Sequence, residues 1–137
     1  MEYKWNRTIL VPILLLLASC GGEPTCTRYD AAALPHEREI VDDLVQVFVD
    51  LGYKEPCCPV HFCRAGESCQ KVIQFCGAIH IHNGDPERIF VDVARPECTD
   101  PARTTAHEML HAIGYRHGAA MDAAQAQILA EYRARHP

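Results

Sequence analysis

The stretch His107-Glu108-Met109-Leu110-His111-Ala112-Ile113-Gly114-Tyr115-Arg116-His117 carries three histidines and a glutamate at fixed spacing. In a helix, His107 and His111 lie one turn apart on the same face, where two imidazoles can bind one cation. Gly114 can adopt a left-handed backbone conformation that ends the helix and turns His117 back towards the other two. Three neutral imidazoles with a fourth position open are typical of a catalytic zinc site.

The glutamate beside the first histidine completes the pattern. Glu108 can reach a water on the ion and accept its proton. The five fixed residues match H-E-x-x-H-x-x-G-x-x-H, and the stretch resembles the metzincin metallopeptidases. The resemblance implies that His107, His111 and His117 bind Zn²⁺. It also implies that Glu108 is the general base, and then the proton donor, in peptide hydrolysis.

Metzincins also carry a methionine in a tight turn beneath the metal, and Met121 is the candidate in this chain. The sequence departs from the family here, because only three residues separate His117 from Met121. The tyrosine that some metzincins have after the methionine is replaced by Asp122 and Ala123. The alternative for Met121 is a core methionine at the start of the last helix, since methionine commonly fills gaps.

Length and composition indicate one domain in an oxidising compartment. The chain has 137 residues, a formal charge of −5 and eight cysteines. This length suits a single domain, and an acidic chain without a basic stripe is not expected to bind nucleic acid. So many cysteines predict disulfides, and therefore export from the cytoplasm.

The N-terminus predicts the route of export. Lys4 and Arg7 precede a short apolar run at residues 9–17, which is too short for a membrane-spanning helix and is typical of a signal peptide. The junction Leu17-Ala18-Ser19-Cys20 resembles the lipobox of bacterial lipoproteins. The resemblance implies cleavage before Cys20 and lipid on that residue. The alternative is a plain secretory signal cleaved near the same place.

These observations divide the chain into a lipoprotein signal peptide at 1–19, a tether at 20–34 and a folded domain at 35–137. The lipid on Cys20 would attach the protein to a membrane of the bacterial cell envelope, facing the periplasm or the exterior. Cys26, within the tether, is a candidate to close back on the domain. Neither the choice of membrane nor the oligomeric state follows from the sequence.

The region 57–76 is dense in cysteine and is predicted to form loops. None of its cysteines forms a C-x-x-C pair, so disulfides are favoured over a zinc ribbon. Cys57 and Cys58 are not expected to pair with each other, because a bridge between adjacent residues is strained. With Cys20 lipidated, seven thiols remain, so at least one is left without a partner in the chain. The cysteines after the tether are Cys57, Cys58, Cys63, Cys69, Cys76 and Cys98.

Apolar periodicity predicts a helix at 35–51, and alternation predicts strands at 72–82 and 89–94 joined by a turn at 83–86. His80 and His82 share one face of the first strand. They are interpreted as solvated residues opposite buried isoleucines, with a second metal site as the alternative. His36, His61 and His136 have no partner at ligand spacing and are predicted to be surface residues.

Two further helices are predicted. Asp100 and Pro101 suit the cap and the first position of a helix that carries the histidine motif to about Ile113. Asp122 is predicted to cap a final helix at 123–135. The fold class is therefore α+β: a small, disulfide-stabilised zincin-like domain with a backing helix, a short sheet, an active-site helix, a methionine turn and a C-terminal helix.

The predicted function is that of a zinc-dependent metalloendopeptidase acting on peptide or protein substrates in the envelope or outside the cell. In metzincins an exposed edge strand binds the extended substrate, and either predicted strand is a candidate. One alternative is a lipid-anchored binding module whose metal site is structural or vestigial. Another is a zinc hydrolase that acts on something other than peptides.

Overall fold

The computed structural model describes residues 26–137. The predicted signal peptide, its predicted cleavage site and Cys20 therefore lie outside the described residues. The fold is α+β, as expected, with three α-helices and a three-stranded sheet in this part of the chain. The elements in chain order are α1 (Pro35–Asp50), β1 (Val60–Cys63), a 3-10 helix (Ser68–Lys71), β2 (Gly77–His82), β3 (Asp85–Asp92), α2 (Pro101–Ala112) and α3 (Ala119–Arg135).

Helix α1 forms the back of the domain and matches its predicted range to within one residue. Pro35 lies in its first turn, and Gly52, at φ +84°, follows its end. Its inner face packs against α2 and α3, and α2 in turn packs on β2 and β3. The fully buried apolar residues of α1 are Val41, Leu44, Val45, Val47 and Phe48.

A buried ion pair fixes the start of α1. Glu37 is only 2% exposed, and its carboxylate accepts hydrogen bonds from Arg64 at 2.6 and 3.0 Å and from the Leu34 amide at 2.8 Å. Burial opposes ionisation of Glu37. The bonds from Arg64 and Leu34 outweigh it and hold the pKa of this carboxyl below its usual 4.5. The pair ties α1 to the end of β1.

We expect Glu37→Gln to lower the free energy of unfolding by about 2 kcal/mol at pH 7, since a buried pair loses one charge. A lowered pKa stabilises the fold above pH 4.5, and this contribution is lost as the pH falls through the folded-state value. The difference from wild type, measured by urea unfolding, should therefore shrink below pH 4.5. Glu39→Gln, at an exposed site of α1, is the control; equal losses in both variants would contradict the prediction.

The sheet has the order β1-β3-β2, with β3 in the centre. Strands β2 and β3 pair antiparallel, which confirms the predicted hairpin, and β1 pairs parallel with β3. Asn83 and Gly84 form the hairpin loop, and both have positive φ, as a two-residue turn of this kind requires. Within the described residues β2 pairs on one side only, so its other edge is free.

Three features of the sheet differ from the prediction. Strand β3 spans Asp85–Asp92 rather than 89–94, because the turn before it consists of only two residues. Strand β2 begins at Gly77, because Arg95 binds the carbonyl oxygens of Gln70, Ile73 and Phe75 and holds that segment outside the sheet. Strand β1 lies inside the cysteine-rich region that was predicted to form loops. Its alternating apolar residues span only four positions, too few to stand out between the cysteines.

The folded region includes residues 26–34, which were predicted to belong to the tether. Cys26 forms a disulfide with Cys57, as its position suggested. Tyr29 pairs with Val60 at the edge of the sheet, and Ala33 is buried in the core. Residues 26–34 therefore pack on the domain, and they do so through contacts that no periodicity in this short segment reveals.

Three disulfides stabilise the domain: Cys26–Cys57, Cys63–Cys69 and Cys76–Cys98. Cys57 and Cys58 do not pair with each other, as predicted. Cys58 is the one unpaired thiol between residues 26 and 137. It is buried in the core, and burial raises its pKa to about 11, so this thiol stays protonated and unreactive.

The start of α2 is as predicted and the start of α3 is not. The Asp100 carboxylate accepts a hydrogen bond from the Arg103 amide at 3.0 Å, and Pro101 is the first helical residue. Helix α3 begins at Ala119 rather than residue 123, because Gly118, and not Asp122, is its cap. None of the helices in residues 26–137 has the length and apolarity needed to cross a membrane.

Candidate metal centre and cleft

The three histidines of the motif meet at one point. His107 and His111 lie on α2, and the Nε2 atom of each is 3.1 Å from Nε2 of His117. The three histidines can each turn one ring nitrogen towards a common point, with all three nitrogens within 4.8 Å of one another. Four-residue spacing on one helix and a reversal after it thus give a set of nitrogens that could hold one metal ion.

The reversal occurs at Gly114. This residue has φ +107°, which a residue with a side chain adopts only with strain. Its amide donates to the His111 carbonyl at 3.0 Å, and the Tyr115 amide donates to the Leu110 carbonyl at 2.9 Å. The chain then leaves the helix axis and brings His117 back over the end of α2, as the sequence predicted.

Two of the three imidazole rings are oriented by a hydrogen bond at Nδ1, the ring nitrogen that does not face the other histidines. Nδ1–H of His107 donates to Oε1 of Gln125 on α3 at 2.8 Å, and Nδ1–H of His111 donates to the Tyr115 carbonyl at 2.8 Å. A proton fixed on Nδ1 leaves the lone pair on Nε2 free for a metal. Gln125 is a site residue that the sequence did not suggest, because it lies 18 positions after His107.

Replacing Gln125 with leucine removes the acceptor for His107, so we expect zinc affinity to fall roughly tenfold to a hundredfold. Gln127, on the same helix, binds the Tyr53 hydroxyl at 2.6 Å and not a histidine. Gln127→Leu should therefore leave the affinity unchanged. Competition with a chromophoric chelator measures both variants, and equal affinities for Gln125→Leu and wild type would show that His107 needs no such support.

Glu108 lies beside the histidines in a sheltered position. It is 7% exposed, and burial raises the pKa of its carboxyl, while the nearby His111 and His117 oppose that rise. The start of β2 packs closely on this carboxylate. A Cβ atom on Gly77 would lie 3.0 Å from Oε1 of Glu108 and 2.6 Å from Cγ2 of Thr104. Only glycine allows β2 to approach α2 this closely.

An open cleft of about 1210 Å³ runs past these groups. The three histidines and Glu108 line it together with residues of β2. Because β3 is the central strand and β2 the free edge, β2 is the strand that borders the cleft. The sequence alone left this choice open.

Met121 does not lie in a tight turn. It is 1% exposed and lies in the first turn of α3, where it belongs to the hydrophobic core. The alternative interpretation, a core methionine at the start of the last helix, describes its place. Helix α3 starts earlier than predicted, so the turn between the motif and the helix ends at Gly118.

Strand β2 is more exposed than predicted. His80 and His82 are exposed, and His80 binds Glu87 at 3.0 Å, but Ile81 is 52% exposed rather than buried. A register shift between His80 and Ile81 and the free edge of β2 explain this difference. Neither histidine belongs to a group of three potential metal ligands in the described part of the chain.

The histidines predicted to be unpartnered surface residues include two with ion-pair partners. His61 on β1 lies between the carboxylates of Asp30 and Glu67. His61 and Glu67 also form a possible ligand group with Cys69, but the Cys69 sulfur is bonded to Cys63. His136 binds Asp43 at 2.7 Å and joins the end of the chain to α1.

Comparisons with known protein families, with curated proteins and with solved structures found no match. The likeness to metzincins therefore depends on the motif from His107 to His117. Any function for the chain has to be inferred from the chemistry and geometry of this site.

Proposed function

We propose that the chain is a zinc-dependent metalloendopeptidase of the metzincin type. One observation carries the proposal: three Nε2 atoms converge beside a buried glutamate in an open cleft. In a tetrahedral zinc site with Zn–N bonds of about 2.0–2.1 Å, the ligand nitrogens lie about 3.3 Å apart. The nitrogen separations of 3.1 Å are close to this value and support zinc as the ion.

Zinc, when bound, supplies a Lewis acid that polarises the scissile carbonyl and makes a water more acidic. Glu108 accepts a proton from that water as its oxygen attacks the carbonyl carbon, and it then donates the proton to the amide nitrogen as the C–N bond breaks. Glu108 is buried beside Gly77, which limits the positions that its carboxylate can adopt. A carboxylate held in one position is suited to accept and return a proton.

The substrate is a polypeptide in extended form. The free edge of β2 offers backbone N–H and C=O groups to a peptide laid along the cleft, and such pairing gives affinity without requiring particular side chains. An open cleft of about 1210 Å³ has room for several residues of an unfolded segment. Unstructured proteins and loops are therefore the expected substrates.

The place of action is the bacterial cell envelope, where lipid on Cys20 would hold the enzyme on a membrane and leave the domain facing the periplasm or the exterior. Three disulfides support an oxidising compartment. The net charge of −5 does not favour nucleic acid as a partner.

Metal removal tests the proposal. The full chain should contain one zinc per molecule and cleave casein, should lose cleavage when a chelator removes the metal, and should regain it when zinc is returned. Zinc at one per chain without cleavage of casein would favour the non-catalytic binding module. Metal-dependent hydrolysis of esters or other small substrates, with casein intact, would favour a zinc hydrolase that does not act on peptides.

A further inference from the structure

One exposed aromatic residue stands out at the rim of the cleft. Phe75 is 84% exposed, and Val72 and Ile81 are 59% and 52% exposed. All three line the cleft that contains the histidines and Glu108. The other large apolar residues exposed in the described chain, Leu34 and Val49, do not line it. Exposed apolar surface beside a site is typical of a binding contact.

The backbone of Phe75 is held in place although its side chain is free. Its carbonyl accepts a hydrogen bond from Arg95 at 3.0 Å. The next residue, Cys76, is bonded to Cys98, and its carbonyl accepts from the Asp92 amide at 2.7 Å. An aromatic ring on a fixed backbone loses little entropy when it packs on a ligand, so it is suited to act as an anchor.

The position of Phe75 indicates which part of a bound peptide, before or after the cleaved bond, it would contact. The cleaved bond lies near Glu108, and Glu108 lies against Gly77 at the start of β2. Phe75 precedes Gly77 by two residues. A peptide that pairs antiparallel with β2, as β3 does on the other edge, has its C-terminal part opposite the residues that precede Gly77. In a peptide that runs antiparallel to β2, the residue near Phe75 is therefore C-terminal to the cleaved bond.

We propose that Phe75 selects substrates with a bulky apolar side chain, aromatic or aliphatic, within a few residues C-terminal to the cleaved bond. This inference rests on the proposed peptidase function and names its substrate class. Insertion of Phe75 into a membrane is the rival explanation of its exposure. The cleft favours the substrate, because Phe75 lines the same cavity as the metal ligands.

The test maps the bonds that the full chain cleaves in casein by mass spectrometry, for wild type, Phe75→Ala and Val49→Ala. Val49 is the control, since it is 46% exposed on α1 and outside the cleft. Wild type and Val49→Ala should favour bulky apolar residues after the cleaved bond. Phe75→Ala should lose this preference and cleave such peptides roughly tenfold more slowly, the effect of one aromatic contact.

Unchanged cleavage sites and rates in Phe75→Ala would overturn the inference and leave the peptidase function standing. A preference for bulky apolar residues before the cleaved bond, rather than after it, would have the same consequence. If wild type cleaves nothing, the peptidase proposal fails. The inference, which rests on that proposal, then fails with it, whereas cleavage by wild type without a preference for bulky apolar residues after the bond overturns the inference alone. Weaker binding to phosphatidylglycerol vesicles by Phe75→Ala, in a Cys20→Ser background and with cleavage unchanged, would assign Phe75 to the membrane.

Discussion

Replacing Glu108 with glutamine should leave zinc binding intact and slow casein cleavage by about a thousandfold, within the range of general acid–base catalysis. The amide has nearly the shape of the carboxylate, so it still fits between α2 and Gly77. It cannot accept the proton of the attacking water or return one to the leaving nitrogen. Zinc content by mass spectrometry and initial rates of casein cleavage measure the two effects separately.

Glu97→Gln is the matched control, because Glu97 is an exposed acid that lines the same cleft. It should cleave casein at the wild-type rate. Cleavage by Glu108→Gln at the rate of wild type would remove the glutamate from the mechanism. A contaminating protease would then be the first explanation to exclude, and an inert wild type would point to the binding module.

The central part of the site was predictable from the sequence because it is local. The separation of His107 and His111 and the turn at Gly114 depend on helix geometry and on glycine backbone freedom within eleven residues. Helix α1 was predictable for a similar reason, since its apolar period, its proline and its closing glycine all agree. Interactions between residues close in sequence determine these features, and the packing of the folded domain does not change them.

The supporting residues depend on contacts between distant segments, which one sequence does not encode in any visible pattern. Gln125 reaches His107 from another helix, and the backbone of Phe75 is held by Arg95 and by the disulfide of the next residue, Cys76. In the sequence, the only indication that Gly77 has a special role was that it interrupts an apolar run. Disulfide pairing likewise follows from the packed fold, because chain spacing alone permits many arrangements.

The same packing accounts for the departures from the expected fold. Helix α3 could start at Ala119 because Gly118, at φ +152°, supplies a backbone conformation that releases the chain from the turn directly into the helix. Met121 then falls on the buried face of α3 and not in a turn. With only three residues between His117 and Met121, the chain has little room to form a separate methionine turn before α3.

His117, the last of the three proposed metal ligands, should be the most sensitive point of the site. His117→Ala removes the only ligand outside α2, so we expect zinc affinity to fall by about a hundredfold or more, exceeding the usual effect of a supporting residue. Gly114→Ala should act more mildly in the same direction, with roughly tenfold weaker binding, because the strained turn no longer holds His117 at its place. Equilibrium dialysis against a zinc buffer measures both, and cleavage of casein should fall in parallel.

Gly52→Ala separates backbone strain from ligand placement. Gly52 has φ +84°, and a Cβ there, as at Gly114, meets no atom within 4 Å, so both alanine variants carry strain without a clash. Each should lower the stability of the metal-free protein by about 1–2 kcal/mol, the cost of a left-handed alanine. Only Gly114→Ala should weaken zinc binding. Should both glycine variants bind zinc as wild type does, the turn at Gly114 would have no part in forming the site, and His117 would have to reach the metal by another route.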